Sequence, residues 1–146
     1  MQPIEVSFVV EPSVSPCPFH VSFSIDGTVL WQSSQLTAAE SVRVTVPDSV
    51  ESQPRYMVFS MQGKLPEHTE LDQQGDIIRD HVISIRDFQI EGIRLQTVLE
   101  SRAIYDHDFN GSSPAIRDEF FGIMGCNGEV RLDFTSPIFL WLLENA

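Results

Sequence analysis

Phe19-His20-Val21-Ser22-Phe23-Ser24-Ile25-Asp26-Gly27-Thr28-Val29-Leu30-Trp31 is the stretch that decides the fold class. Phe19, Val21, Phe23 and Ile25 alternate with His20, Ser22 and Ser24, so one face is apolar and the other polar. That period of two marks a half-buried strand. Asp26-Gly27 then separates two β-rich runs. Both residues tolerate positive φ, which a two-residue hairpin turn requires. An antiparallel strand pair is therefore expected around this turn.

The same pattern recurs outward in both directions. Ile4-Glu5-Val6-Ser7-Phe8-Val9-Val10 opens in alternation, and Pro12, Pro16 and Pro18 then enforce a loop. Val42-Arg43-Val44-Thr45-Val46 alternates and stops at Pro47, and Arg55-Tyr56-Met57-Val58-Phe59-Ser60-Met61 stops before Gly63. Residues 77–85 read as a strand, Phe88, Ile90 and Ile93 imply another, and Glu129-Val130-Arg131-Leu132-Asp133-Phe134 alternates strictly. About eight short strands with regular turn signals predict an all-β chain. The expected architecture is a single antiparallel β-sandwich, jelly-roll-like, over residues 1–146, with one or two short helices. Helical turns are expected at Thr37-Ala38-Ala39-Glu40, with Thr37 as cap, and over residues 118–124, where acidic side chains open the segment. Residues 94–105 fit neither period.

Composition excludes several partner classes. The chain has 146 residues, nine Lys plus Arg against 21 Asp plus Glu, and a formal charge of −12. Nucleic acid and anionic membrane surfaces both require clustered positive charge, so neither is expected. No apolar run is long enough to span a bilayer. No secretory leader is visible, so Cys17 and Cys126 are expected to stay reduced.

Asp106-His107-Asp108-Phe109-Asn110-Gly111 matches the first half of a calcium loop. Alternate short oxygen side chains, here Asp106, Asp108 and Asn110, converge on one centre while glycine turns the chain. An EF-hand needs a glutamate at the twelfth position, which is Arg117, so an EF-hand is excluded. The competing reading is a turn in which these side chains bond their own backbone. Glu67, Glu70, Asp72, Asp76 and Asp80 form a second acidic group, either a calcium rim or a solvated loop. His20, His68, His81 and His107 have no zinc spacing. Nucleophile elbow, phosphate loop and dinucleotide fingerprint are all missing from the sequence, so no enzyme is expected. Trp31, Tyr56 and Tyr105 are candidate sugar-stacking aromatics; Trp31 and Tyr105 adjoin polar loops. The apolar run Ile138, Phe139, Leu140, Trp141, Leu142 and Leu143 offers more apolar surface than one face can bury, which makes it a candidate contact with a partner or a second copy.

Two resemblances follow from these residues. Val21-Ser22-Phe23-Ser24-Ile25-Asp26-Gly27, residues 42–46 and Asp76-Ile77-Ile78-Arg79-Asp80-His81-Val82-Ile83-Ser84-Ile85 resemble calcium-dependent, xylan-type carbohydrate-binding modules over residues 19–95. That implies a jelly-roll sandwich with calcium at a loop rim and a glycan partner. The closing half, with residues 105–111, Gly125-Cys126-Asn127-Gly128, Phe134 and residues 137–145, resembles small structural proteins of tailed bacteriophages. That implies a homo-oligomer bound to other virion proteins. The expected function is a non-catalytic structural or accessory protein of a virus particle, a capsid decoration or tail component assembled in the host cytoplasm. The alternative is a calcium-dependent carbohydrate-binding module.

Overall fold

The computed structural model describes residues 3–111 and 113–146. Strands β1 (Pro3–Pro12), β2 (His20–Ile25), β3 (Thr28–Ser33), β4 (Glu40–Pro47) and β5 (Gln53–Gln62) come first. They are followed by β6 (Thr69–Leu71), β7 (Ile77–Asp80), β8 (Ile83–Ile90), β9 (Ile93–Arg94) and helix α1 (Gln96–Arg102). The chain closes with β10 (Ile104–His107), β11 (Ile116–Glu119), β12 (Ile123–Met124), β13 (Gly128–Ser136) and helix α2 (Ile138–Asn145). One sheet has the order β12-β8-β1-β4, with β9 also paired to β8, and the other the order β11-β10-β13-β5-β2-β3. Strands β6 and β7 form a separate ribbon.

The two sheets meet face to face, as the alternation requires. Ile4, Val6, Phe8 and Val10 of β1 are buried, and so are Val130, Leu132 and Phe134 of β13. The Phe8 ring lies 4.8 Å from Phe23 and 4.9 Å from Phe59, both on the opposite sheet. Burying each such side chain contributes about 1.5–3 kcal/mol. The hairpin at Asp26-Gly27 forms as expected, with φ of 51° and 84°. Asp26 also ties the turn to β5, accepting from the Tyr56 amide at 3.1 Å and from Arg55 Nε at 2.9 Å.

The helices fall elsewhere than the sequence suggests. Residues 37–39 contain no helical turn. Residues 116–119 form β11 because they pair with β10, Tyr105 opposite Asp118. Pairing overrides the weak local signal of an acidic first turn. Helix α1 appears where neither period was clear. Its Leu99 is buried, and Gln96 at its start accepts from the Phe88 amide at 3.0 Å and donates to the Ile85 carbonyl at 2.8 Å. The continuous apolar run becomes α2. Ile138, Trp141 and Leu142 point into this chain's own core, while Phe139, Leu140 and Leu143 stay exposed. Such i, i+3, i+4 spacing is one helical stripe. Asp48 accepts from the otherwise free Ile138 amide at 3.0 Å, which holds the start of α2 in place.

Candidate functional site

The chemically richest region lies where β10 ends and β13 begins. His107 is paired with Gly128 across these strands. A depression of about 310 Å³ opens there, walled by Gln62, Asp106, Asp108 and Asn127. Gly128 allows the close approach: a Cβ at this position would lie 2.2 Å from the Asp106 carbonyl oxygen. His107 is buried beneath, with Nε2 3.1 Å from an Asp118 carboxylate oxygen and its ring 4.5 Å from Tyr105.

Tyr105 is a post rather than a stacking surface. It is only 6% exposed. Its hydroxyl accepts from the Cys126 amide at 2.8 Å and donates to the Cys126 carbonyl. Burial pushes the phenol well above its ordinary range. Trp31 is half-buried and packs edge-on to Phe8 at 6.4 Å, so much of its ring belongs to the core margin.

Lys64, which the sequence reading passed over inside a polar excursion, closes the site from the other side. Its Nζ donates to Asp80 Oδ1 and to the Gly125 carbonyl, both at 2.6 Å. Its backbone amide donates to Asn127 Oδ1 at 2.8 Å, and its carbonyl accepts from Asn127 Nδ2 at 2.9 Å. Thr69 donates to the same Asp80 oxygen at 2.7 Å. His68 accepts from the Leu65 amide at 2.9 Å, and its ring lies 5.3 Å from His81 and 5.6 Å from Phe19. Burial raises the thiols of both Cys17 and Cys126, which are free. A raised thiol is a poor nucleophile near neutral pH.

The 106–111 loop has one oxygen of each of its Asp106, Asp108 and Asn110 side chains engaged. Asp106 Oδ1 accepts from Arg117 Nε at 3.0 Å, Asp108 Oδ1 from the Gly111 amide at 2.9 Å, and Asn110 Oδ1 from the Asn127 amide at 2.7 Å. Calcium needs six to eight converging oxygens. Among the described residues no three His, Cys, Asp or Glu side chains gather in a way that could hold a metal ion. In this arrangement Asp106, Asp108 and Asn110 are tied to Arg117, Gly111 and Asn127 rather than converging on one centre. In the second acidic group, Asp72 Oδ1 accepts from the Gln74 and Asp76 amides at 2.9 Å, and Asp80 is held by Lys64.

Two further depressions follow β13 away from this end. One, of about 170 Å³, is lined by Arg102, Ile104, Arg117, Arg131 and Asp133 together with Trp141 and Asn145. The other, of about 410 Å³, shares Arg131, Asp133 and Trp141 and adds Tyr56. The Arg131 guanidinium lies 4.1 Å from the Tyr56 ring centre. From Arg131 to Thr135 these two depressions span about 13 Å of strand at about 3.3 Å per residue. No local spacing could have announced this assembly, because its arginines come from α1, β11 and β13.

No protein-family model matches the chain, and no curated protein matches its sequence. Two solved structures share its architecture. One is vCBM60 in complex with galactobiose, with a TM-score of 0.50 and 12% identity over 88% of this chain and 96% of that one. The chain shares the β-sandwich fold of that structure. The other is a selenomethionine form of vCBM60, described with a circular permutation linking two families of calcium-dependent carbohydrate-binding modules. Its TM-score is 0.50, with 11% identity over 88% of this chain and 89% of that one. Neither structure carries a link to a virus particle, so the resemblance of the closing half to phage structural proteins finds no support.

Proposed function

We propose that this chain is a non-catalytic saccharide-binding domain whose ligand lies along β13. The observation that carries this reading is the row of depressions from Gly128 to Thr135, which combines hydrogen-bonding side chains with an aromatic plate. Sugars present paired donors and acceptors on one edge and apolar C–H groups on each ring face. Gln62 carries an amide, Asp106 and Asp108 keep their Oδ2 atoms as acceptors, and Tyr56 stacked with Arg131 adds aromatic surface. The likeness to the vCBM60 fold supports the same class of ligand. The upshifted thiols, and His68 and His107 committed to local hydrogen bonds, favour binding over chemistry.

The test is a titration of isotope-labelled protein with galactobiose and with cellobiose, followed by amide chemical shifts. Shifts confined to β13, β10 and the 125–128 turn are expected, with a Kd on the order of 1 mM or tighter, about −4 kcal/mol. A panel of neutral and acidic disaccharides that moves no signal would overturn the reading. The same titration in calcium and in chelator is expected to give one affinity, because among the described residues no three acidic side chains gather there. A strict calcium requirement would refute the reading of residues 106–111 as a hydrogen-bonded turn.

A further inference from the structure

Positive charge is scarce in this protein, nine Lys plus Arg in a chain of net charge −12, yet three of those cations meet in one small depression. Arg102 arrives from the last turn of α1, Arg117 from β11 and Arg131 from β13. Arg117 is held through Nε by Asp106 at 3.0 Å, and Arg131 through Nε by Asp133 at 2.9 Å. Among the described residues neither makes a further hydrogen bond through its terminal nitrogens, and Arg102 makes no ion pair at all. Each guanidinium has five N–H donors in a planar fork. The depression therefore presents several unused guanidinium donors, although Glu119 and Glu129 flank it on the same face.

We infer that this depression binds the carboxylate of a uronic acid residue within a saccharide. The inference rests on the saccharide reading above and names the ligand class more closely. A carboxylate matches the fork geometry of the guanidinium donors. A polyanion would instead meet the repulsion of an acidic domain. The walls suit a sugar rather than a bare anion. Ile104 supplies apolar surface, and Asn145, whose Nδ2 donates to the Trp141 carbonyl at 2.8 Å, keeps its oxygen as an acceptor for a hydroxyl. The adjoining depression shares Arg131, Asp133 and Trp141, so the next ring of the same ligand reaches Tyr56.

Cellobiouronic acid and cellobiose test this directly, because they differ only by a carboxylate in place of a hydroxymethyl group. Calorimetric titration of the wild-type protein at low salt is expected to show about tenfold tighter binding of the acid, with the preference shrinking as salt screens it. Arg102→Gln is expected to abolish the preference, the ratio of the two affinities falling from about ten to about one. This side chain is exposed and holds no partner in the fold, and circular dichroism confirms that the variant folds. Equal wild-type affinities would overturn the inference while leaving saccharide binding intact, as would an Arg102→Gln variant that keeps the preference. Displacement of the acid by acetate or phosphate at equal concentration would overturn it in favour of a simple anion site. Absence of binding to either disaccharide, and to galactobiose, would remove both readings together.

Discussion

Replacing Lys64 by methionine tests how the site is held together. The Lys64 side chain is 1% exposed, and its ammonium sits 2.6 Å from both Asp80 Oδ1 and the Gly125 carbonyl. Two charge-assisted hydrogen bonds are worth about 1.5–3 kcal/mol each before desolvation is counted. Removing the ammonium also removes the cost of burying it, and methionine replaces the aliphatic stem. Asp80 is 26% exposed and keeps its bond from Thr69, so it is not stranded. The loss should therefore fall below the roughly 3–5 kcal/mol seen when one partner of a fully buried pair is deleted, at about 2 kcal/mol. For a domain of this size that is a drop of about 4–8 °C in Tm. Urea unfolding followed by tryptophan fluorescence measures it, and the m value should not change. Coupling with Asp80→Asn in a double-mutant cycle should exceed about 1 kcal/mol. A Lys64→Met variant within about 0.5 kcal/mol of the wild type would refute the assignment of this pair as the clasp between the 125–128 turn and β7.

Three other perturbations probe different parts of the structure. Gly128→Ala forces a Cβ against the Asp106 carbonyl and should cost about 2–3 kcal/mol by prising β10 from β13; a neutral effect in urea would contradict the close approach. Trp141→Ala should cost about 3–5 kcal/mol, whereas Leu143→Ser should stay within about 0.5 kcal/mol, and equal costs would contradict the helical stripe of α2. Buried Cys17 should label slowly with a disulfide reagent in the native protein at neutral pH, half-buried Cys126 less slowly, and both rapidly in denaturant; fast native labelling of Cys17 would refute its burial. Because these thiols and the Tyr105 phenol are raised on folding, their contribution is complete below the unfolded thiol and phenol values of 9.0 and 10.0 and falls away as pH rises past them. Stability against urea should accordingly decline through that alkaline window.

The sandwich was legible wherever one face is buried and the other solvated. β2, β13 and the Asp26-Gly27 turn carry that signal within a few residues of sequence. Helix α2 was not legible, because six consecutive apolar residues carry no period, and only packing decides which of them turn inward. β11 was misread since its strand character comes from β10 alongside it. The candidate site divides in the same way. Asp106, Asp108 and Asn110 stand out as a local cluster, but the groups that occupy their oxygens include Arg117 and the Asn127 amide, which local spacing does not reveal. Lys64 and Arg102 sit in segments with no distinctive pattern, and their meaning depends on neighbours brought from other strands and helices.

The placement of β1 and β13 also governs how the chain reaches this fold. β1 is made first, yet Val6 must pair with both Val44 and Ile90. β13 is made almost last, yet it occupies the middle of its sheet between β10 and β5. Neither sheet can close until nearly the whole chain has emerged, so loop closure delays the rewarding contacts, and folding belongs to the millisecond-to-second range of all-β domains. Until then β5 and β10 offer open edges to other chains. A chain cut before residue 128 keeps those edges permanently, and should leave solution as aggregate rather than persist as a smaller folded domain.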